Sequence, residues 1–165
     1  MLVDIARLDG RWDVVADLDA VANRAAAAAV AAGEFDHPNA ELSLVFADDE
    51  RISALNLAYR QKASATNVLS FPTGDEPEDG DSRERLLGDV VLAFETITRE
   101  AREQGKTFEN HLCHLIVHGV LHLLGYDHED DPGAAEMEYL EISALAQIGV
   151  PNPYERNGRV NGAAR

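Results

Sequence analysis

The sequence predicts an α+β domain in which a mixed four-stranded sheet packs with about five to six helices around a central buried helix. Three observations support this prediction. Four short runs have β-like composition, amphipathic or alanine-rich runs separate and follow them, and residues 112–124 are apolar on nearly every side. A helix that is apolar all round is normally buried at the centre of a domain.

The first half of the chain predicts two strands and two helices. The strands cover residues 2–6 and 41–47, and the helices cover residues 14–32 and 49–62. Gly33 should end the first helix, and Asp48 is a suitable N-cap for the second. The spacing of Ile52, Leu55 and Tyr59 predicts that these three side chains point inward from the second helix.

The second half predicts two further strands and three helices. The strands cover residues 67–71 and 88–94. The helices cover residues 95–103, a central helix that follows Thr107 and is apolar over residues 112–124, and residues 136–148. Between the strands, residues 73–85 are rich in acids and glycine, which indicates a solvated loop. Thr107 should cap the central helix, Gly125 should end it, and Pro132 suits the first turn of the last helix.

Composition indicates one soluble domain over residues 1–155 with a flexible tail over residues 156–165. No run is long enough to cross a membrane. The N-terminus lacks the basic segment followed by an apolar one that is typical of a signal peptide. The single Cys113 excludes an intrachain disulfide and fits a reducing cytoplasm. The net charge of −16 argues against a general nucleic-acid binder and weighs against any RNA hypothesis. We expect neither DNA nor a membrane as a partner.

The stretch from His118 to His128 is predicted to contain a metal site. On a helix, His118 and His122 stand on one face, one turn apart, and this spacing suits two imidazoles that bind one metal ion. Gly125 then turns the chain, and His128 follows three residues later. Three neutral imidazoles with an open fourth position are the catalytic rather than the structural pattern for zinc.

His114 and Asp127 each have two interpretations, and Gly119 bears on the class of reaction. His114 is about 12 Å from His122 along the helix, too far to share the ion; it either hydrogen-bonds or relays a proton near the site, or makes a polar contact in the core. Asp127 either orients a ligand imidazole or only shapes the turn. Gly119 stands where HExxH peptidases carry their glutamate base, which argues against proteolysis.

The stretch His-Gly-Val-Leu-His-Leu-Leu-Gly-Tyr-Asp-His closely resembles the signature of the YbeY family of bacterial metal-dependent endoribonucleases. Residues 55–62 and 66–72 resemble the central block of that family. Its remaining landmarks match residues 87–90, 129–138 and 152–154, so that the resemblance runs from about residue 41 to residue 155. Asn67 is a departure, because many members carry aspartate there.

The resemblance implies a zincin-like fold, with one zinc ion at His118, His122 and His128. It implies a single-strand-specific endoribonuclease that acts in maturation of the 3′ end of 16S ribosomal RNA and in ribosome quality control. The implied location is the cytoplasm, and the implied partners are ribosomal RNA, ribosomal subunits, a ribosomal protein and a GTPase.

The functional arginine of the family matches Arg60, whose planar guanidinium can hold a phosphate and offset charge that grows there. Asn56, one turn earlier, and Lys62 are the other candidate substrate-binding residues. The candidate basic groups for RNA are Arg60, Lys62, Arg99, Arg102 and Lys106, and the sequence leaves open whether they share a face. One alternative function is a non-catalytic ribosome-assembly factor with a structural metal, and a metallopeptidase is a further one.

Overall fold

The computed structural model describes residues 1–36, 39–61, 64–73 and 85–155. These residues form four strands, five α-helices and a 3-10 helix over Gly10–Val14. The strands are β1 (Leu2–Arg7), β2 (Ala40–Ala47), β3 (Val68–Pro72) and β4 (Arg85–Ala93). The α-helices are α1 (Leu18–Ala32), α2 (Asp49–Arg60), α3 (Phe94–Glu103), α4 (Phe108–Leu123) and α5 (Asp131–Gln147). The acidic loop over residues 74–84 and the tail over residues 156–165 lie outside the described residues.

The four strands form one mixed sheet in the order β1-β2-β4-β3, which confirms the predicted α+β architecture. β1, β2 and β4 run parallel, whereas β3 pairs with β4 antiparallel and forms one edge. Side chains alternate between the two faces, as the period of a strand requires. In β4, for example, Val90 and Leu92 join the larger core, and Val91 and Ala93 join the smaller one.

The larger core lies between one face of the sheet and the helices α1, α4 and α5. Helix α4 is buried along most of its length, in agreement with the predicted central helix. On the opposite face, Ile52 of α2 packs against Leu69 of β3 in the smaller core. Within the described residues, no helix combines the length and the apolar character needed to cross a lipid bilayer.

Side-chain caps fix the starts of four α-helices. The predicted caps Asp48 and Thr107 accept hydrogen bonds from the backbone amides of Arg51 and Asn110, at 2.8 and 3.1 Å. Asp17 and Asp130 cap α1 and α5 in the same way. Each of these side chains satisfies an amide that has no partner inside its own helix.

Three details of the prediction are wrong. The first helix begins at Leu18 rather than at residue 14, because the preceding 3-10 helix turns Trp12 into the core, where its Nε1 donates to the Ala47 carbonyl at 2.8 Å. The last helix begins at Asp131 rather than at residue 136, because Asp130 caps it there. Tyr59 is 70% exposed rather than inward, since it projects beside the edge strand β3.

Candidate metal centre

His118 and His122 project from the C-terminal half of α4 with one turn between them. Their Nε2 atoms are 3.2 Å apart, and both side chains are half-buried. Two nitrogens bound to one tetrahedral zinc ion at 2.0–2.1 Å would lie about 3.4 Å apart. The spacing of these two atoms therefore fits two ligands of one ion.

The end of α4 returns the chain toward this pair. Gly125 has a φ of +100°, a conformation that favours glycine, and its amide bonds to the His122 carbonyl at 3.0 Å. The Tyr126 amide bonds to the Leu121 carbonyl at 3.1 Å, which completes a Schellman motif. The Tyr126 hydroxyl donates to the Gly33 carbonyl at 3.3 Å, so this reversal is tied to the end of α1.

His128 follows this reversal and completes a cluster of three imidazoles. One ring nitrogen from each of His118, His122 and His128 lies within 4.8 Å of the other two. The His128 ring centroid is 5.5 Å from that of His118 and 5.2 Å from that of His122. His128 is exposed, so the cluster faces solvent on that side, and the donor set fits a divalent ion such as zinc.

The surroundings of His122 favour its neutral form, which is the form that binds a metal ion. Burial lowers the pKa of His122 to about 4, and the proximity of His118 and His128 acts in the same direction. At neutral pH His122 therefore keeps a lone pair that a cation can accept.

Glu141 of α5 contacts the cluster from behind. Its side chain is 1% exposed, and Oε2 accepts a hydrogen bond from His118 Nδ1 at 2.8 Å. Oε1 accepts from His114 Nε2 at 2.6 Å and from the Tyr154 hydroxyl at 2.5 Å. Burial opposes ionisation of Glu141, but these hydrogen bonds outweigh it and lower the pKa of the carboxyl to about 2.

Sequence reasoning assigned no role to Glu141 and noted Tyr154 only as part of a matching landmark. A signal was present, because Glu141 shares a face of α5 with buried Met137, Ala144 and Leu145, and a lone acid among such residues needs a polar partner. The sequence could not show that the partner is a histidine on another helix.

His114 and Asp127 behave differently from each other. His114 bonds to Glu141, beside the three histidines, and its Nδ1 is buried with no hydrogen-bond partner in the described part of the chain. Asp127 is exposed, and its Oδ1 accepts from the Glu129 amide at 2.5 Å. This contact favours the turn-shaping interpretation of Asp127.

A cleft of about 650 Å³ opens over the three histidines. Arg60 lines it from the end of α2, and its Nη2 donates to the Ser70 carbonyl of β3 at 3.4 Å. Asn56 also lines the cleft, but its Nδ2 donates to the Ser64 carbonyl at 2.9 Å and so holds the segment after α2. Lys62 lies outside the described residues.

Asn67 lines the same cleft and contacts an acid. Its Nδ2 donates to Glu100 Oε1 at 3.0 Å, and that oxygen also accepts from His111 Nε2 at 2.9 Å. An aspartate at position 67 would place a second carboxylate against Glu100, so the amide suits this surrounding.

The other basic candidates lie away from this cleft. Lys106 donates through Nζ to the Pro153 carbonyl at 2.7 Å, and Arg99 pairs with Glu103 at 3.6 Å. Neither they nor Arg102 line the cleft, so Arg60 is the guanidinium among its described lining residues.

Gly119 separates this centre from that of HExxH peptidases. A Cβ at position 119 would lie 2.6 Å from Val90 Cγ1 and 3.2 Å from Ser70 Oγ. The Ser70 hydroxyl donates to the Gly119 carbonyl at 2.9 Å. Position 119 thus faces the sheet, where a glutamate side chain has no room.

Comparisons with known proteins agree with the motif. The model of the family described as "Endoribonuclease YbeY" matches residues 9–149. A protein named "Endoribonuclease YbeY" from Rhodopseudomonas palustris strain BisB18 is 46% identical over 154 residues, covering 91% of this chain and 90% of that protein. One of the same name from Paramagnetospirillum magneticum is 52% identical over 141 residues, covering 82% and 85%. The solution structure of TM1509 from Thermotoga maritima shares the fold with a TM-score of 0.57 and 20% identity, covering 96% of this chain and 99% of that one.

Proposed function

The chain belongs to the endoribonuclease YbeY family, and on that premise we propose that it is a zinc-dependent endoribonuclease that cleaves single-stranded RNA. The observation that carries the proposal is the convergence of three imidazole donors below a cleft that also holds an arginine. The substrate is ribosomal RNA, with the 3′ end of the 16S species as the maturation site and ribosome quality control as a second role. The catalytic unit spans residues 1–155 and acts in the cytoplasm.

His118, His122 and His128 would hold the metal. A bound zinc ion supplies Lewis acidity, which activates water and polarises a phosphoryl oxygen. His118 donates a hydrogen bond from Nδ1 to Glu141, so its lone pair is on Nε2. That atom lies 3.2 Å from His122 Nε2, where both nitrogens could bind one ion.

Arg60 would bind the phosphate that is cleaved. Arg60 is exposed, and its hydrogen bond to the Ser70 carbonyl holds the guanidinium at the edge of the sheet. A guanidinium carries five N–H donors, so two coplanar N–H groups can still donate to a phosphate and offset negative charge as it grows there.

The size of the cleft supports a single-stranded substrate. A volume of about 650 Å³ is in the range of small-ligand pockets and is enough to hold one or two nucleotides. A strand that is not paired can present one phosphodiester at the floor of the cleft.

The test compares four metal-quantified proteins: the unsubstituted chain, His118→Ala, Arg60→Ala and the control Arg99→Ala, which changes an exposed arginine outside the cleft. Each is incubated with a single-stranded RNA that carries the 3′ region of 16S RNA, with its duplex, and with a peptide mixture. We expect cleavage of the single strand by the unsubstituted chain and by Arg99→Ala, and at least a 100-fold loss in the other two, as for loss of a charge-stabilising group.

Other outcomes would replace the proposal. Equal RNA cleavage by all four proteins would indicate a contaminating nuclease. Bound zinc without any cleavage would favour the assembly factor, and peptide hydrolysis that His118→Ala abolishes would favour a peptidase. A ribosomal protein or a GTPase is the proposed partner that delivers so acidic a chain to the ribosome.

A further inference from the structure

We propose that Glu141 is a positioning residue of the metal centre: from α5 it fixes the ring orientation and tautomer of His118, and Tyr154 in the C-terminal segment holds Glu141 in place. The proposal rests on the metal-binding part of the proposed function. It assigns a task to a buried acid and to a segment that follows the last helix.

The hydrogen bonds of Glu141 leave its carboxylate little freedom. Its two oxygens accept three hydrogen bonds of 2.5–2.8 Å, from His114, His118 and Tyr154. A carboxylate can only accept, so the hydrogen on His118 must reside on Nδ1. The lone pair of His118 is then on Nε2, the atom that lies 3.2 Å from His122 Nε2.

Tyr154 reaches Glu141 because the chain after α5 is tied down. The Lys106 ammonium donates to the Pro153 carbonyl at 2.7 Å, and the Tyr154 amide donates to Asn152 Oδ1 at 2.9 Å. These two bonds set the position of the tyrosine backbone beside the turn between α3 and α4. The Tyr154 ring also packs edge-on against His114, with ring centroids 5.5 Å apart.

A chain of contacts therefore runs from the C-terminal segment through Glu141 to a metal ligand. A hydrogen-bonded carboxylate behind a ligand histidine raises the basicity of that ligand, and its loss typically costs 10- to 100-fold in metal affinity. A residue that only fills the core would affect folding stability and leave the affinity of the folded protein unchanged.

The test measures the zinc dissociation constant of the full chain by competition with a coloured chelator. The variants are Glu141→Gln, which keeps the size and removes the charge, and Tyr154→Phe, which removes the hydroxyl alone. Glu136→Gln is the matched control, because Glu136 is an exposed acid on α5 that does not line the pocket shared by His118, Glu141 and Tyr154. Thermal unfolding of the metal-free proteins is recorded in parallel, and nitrogen NMR of the imidazoles reports the tautomer of His118.

We expect a 10- to 100-fold larger zinc dissociation constant for Glu141→Gln, a smaller increase for Tyr154→Phe and no change for Glu136→Gln. The spectrum of the unsubstituted metal-free chain should place the His118 hydrogen on Nδ1. Unchanged affinity in both site variants, or a hydrogen on Nε2, would overturn the inference. If Glu141→Gln does not fold, Tyr154→Phe and the tautomer decide. An unsubstituted chain that binds no zinc would instead refute the proposed function.

Discussion

The packing of Gly119 against the sheet predicts that Gly119→Ala destabilises the protein, although alanine is the better helix former. The added Cβ would lie 2.6 Å from Val90 Cγ1, with Ser70 Oγ at 3.2 Å and Val68 Cγ2 at 3.3 Å. Val90 is fully buried and β-branched, so it cannot turn aside without disturbing its own contacts.

Two opposing effects set the magnitude. Overpacking of a closed site costs about 1–3 kcal/mol, and contacts on three sides place this one near the upper end. Alanine gains about 1 kcal/mol over glycine inside a helix, so the net loss should be about 2 kcal/mol.

Urea unfolding measures this loss through the fluorescence of Trp12, the single tryptophan of the chain. Gly10→Ala is the control, since nothing lies within 4 Å of a Cβ at that position. In a Val90→Ala background, where the blocking methyl group is absent, Gly119→Ala should cost less than about 0.5 kcal/mol or stabilise the helix. A loss that is equally large in both backgrounds would refute the steric argument.

Three further predictions concern stability and the metal. Burial, with a contribution from Glu109, raises the pKa of the Cys113 thiol to about 11 from 9.0, so the folded chain keeps this proton longer than the unfolded chain. Stability should therefore fall by up to about 3 kcal/mol as the pH rises from 9 to 11, and Cys113→Ala should lack this part of the slope in urea titrations. Trp12→Phe leaves the Ala47 carbonyl without its indole donor and should cost about 1–3 kcal/mol, measured by circular dichroism; unchanged stability would contradict the role of this bond. Removal of bound metal by a chelator should weaken binding of single-stranded RNA in a filter assay at fixed salt, and equal binding would show that the metal adds no attraction.

Features set by residues close together in the sequence were predictable. The caps Asp48 and Thr107 act on amides three residues later, and Gly125 ends α4 through bonds within the same turn. The three histidines follow the same principle, because a helical turn and a glycine reversal are sufficient to bring them together.

Features that depend on packing between distant segments were not predictable. Glu141 bonds to His118 from a separate helix, and only the angle between α4 and α5 brings them into contact. Tyr59 lies on the side of α2 that an amphipathic pattern assigns to the interior, yet β3 is the edge strand and no further strand covers that side among the described residues. The sequence shows a glycine where HExxH peptidases carry glutamate, but the contacts of position 119 with Val90 and Ser70 are visible only in the structure.

Because both this chain and RNA are negatively charged, attraction between them requires local positive charge at the cleft. The net charge is −16, and the described lining of the cleft carries the carboxylates of Asp127 and Glu129 against the guanidinium of Arg60. With its pKa near 4, His122 adds no positive charge at neutral pH. A divalent ion at the three histidines would therefore reverse the sign of the cleft floor. Among the described lining residues, Arg60 and the ion would be the cations that contact phosphate. If these carry the attraction, the salt dependence of RNA binding should be shallow, and most of the affinity must come from neutral contacts or from a partner.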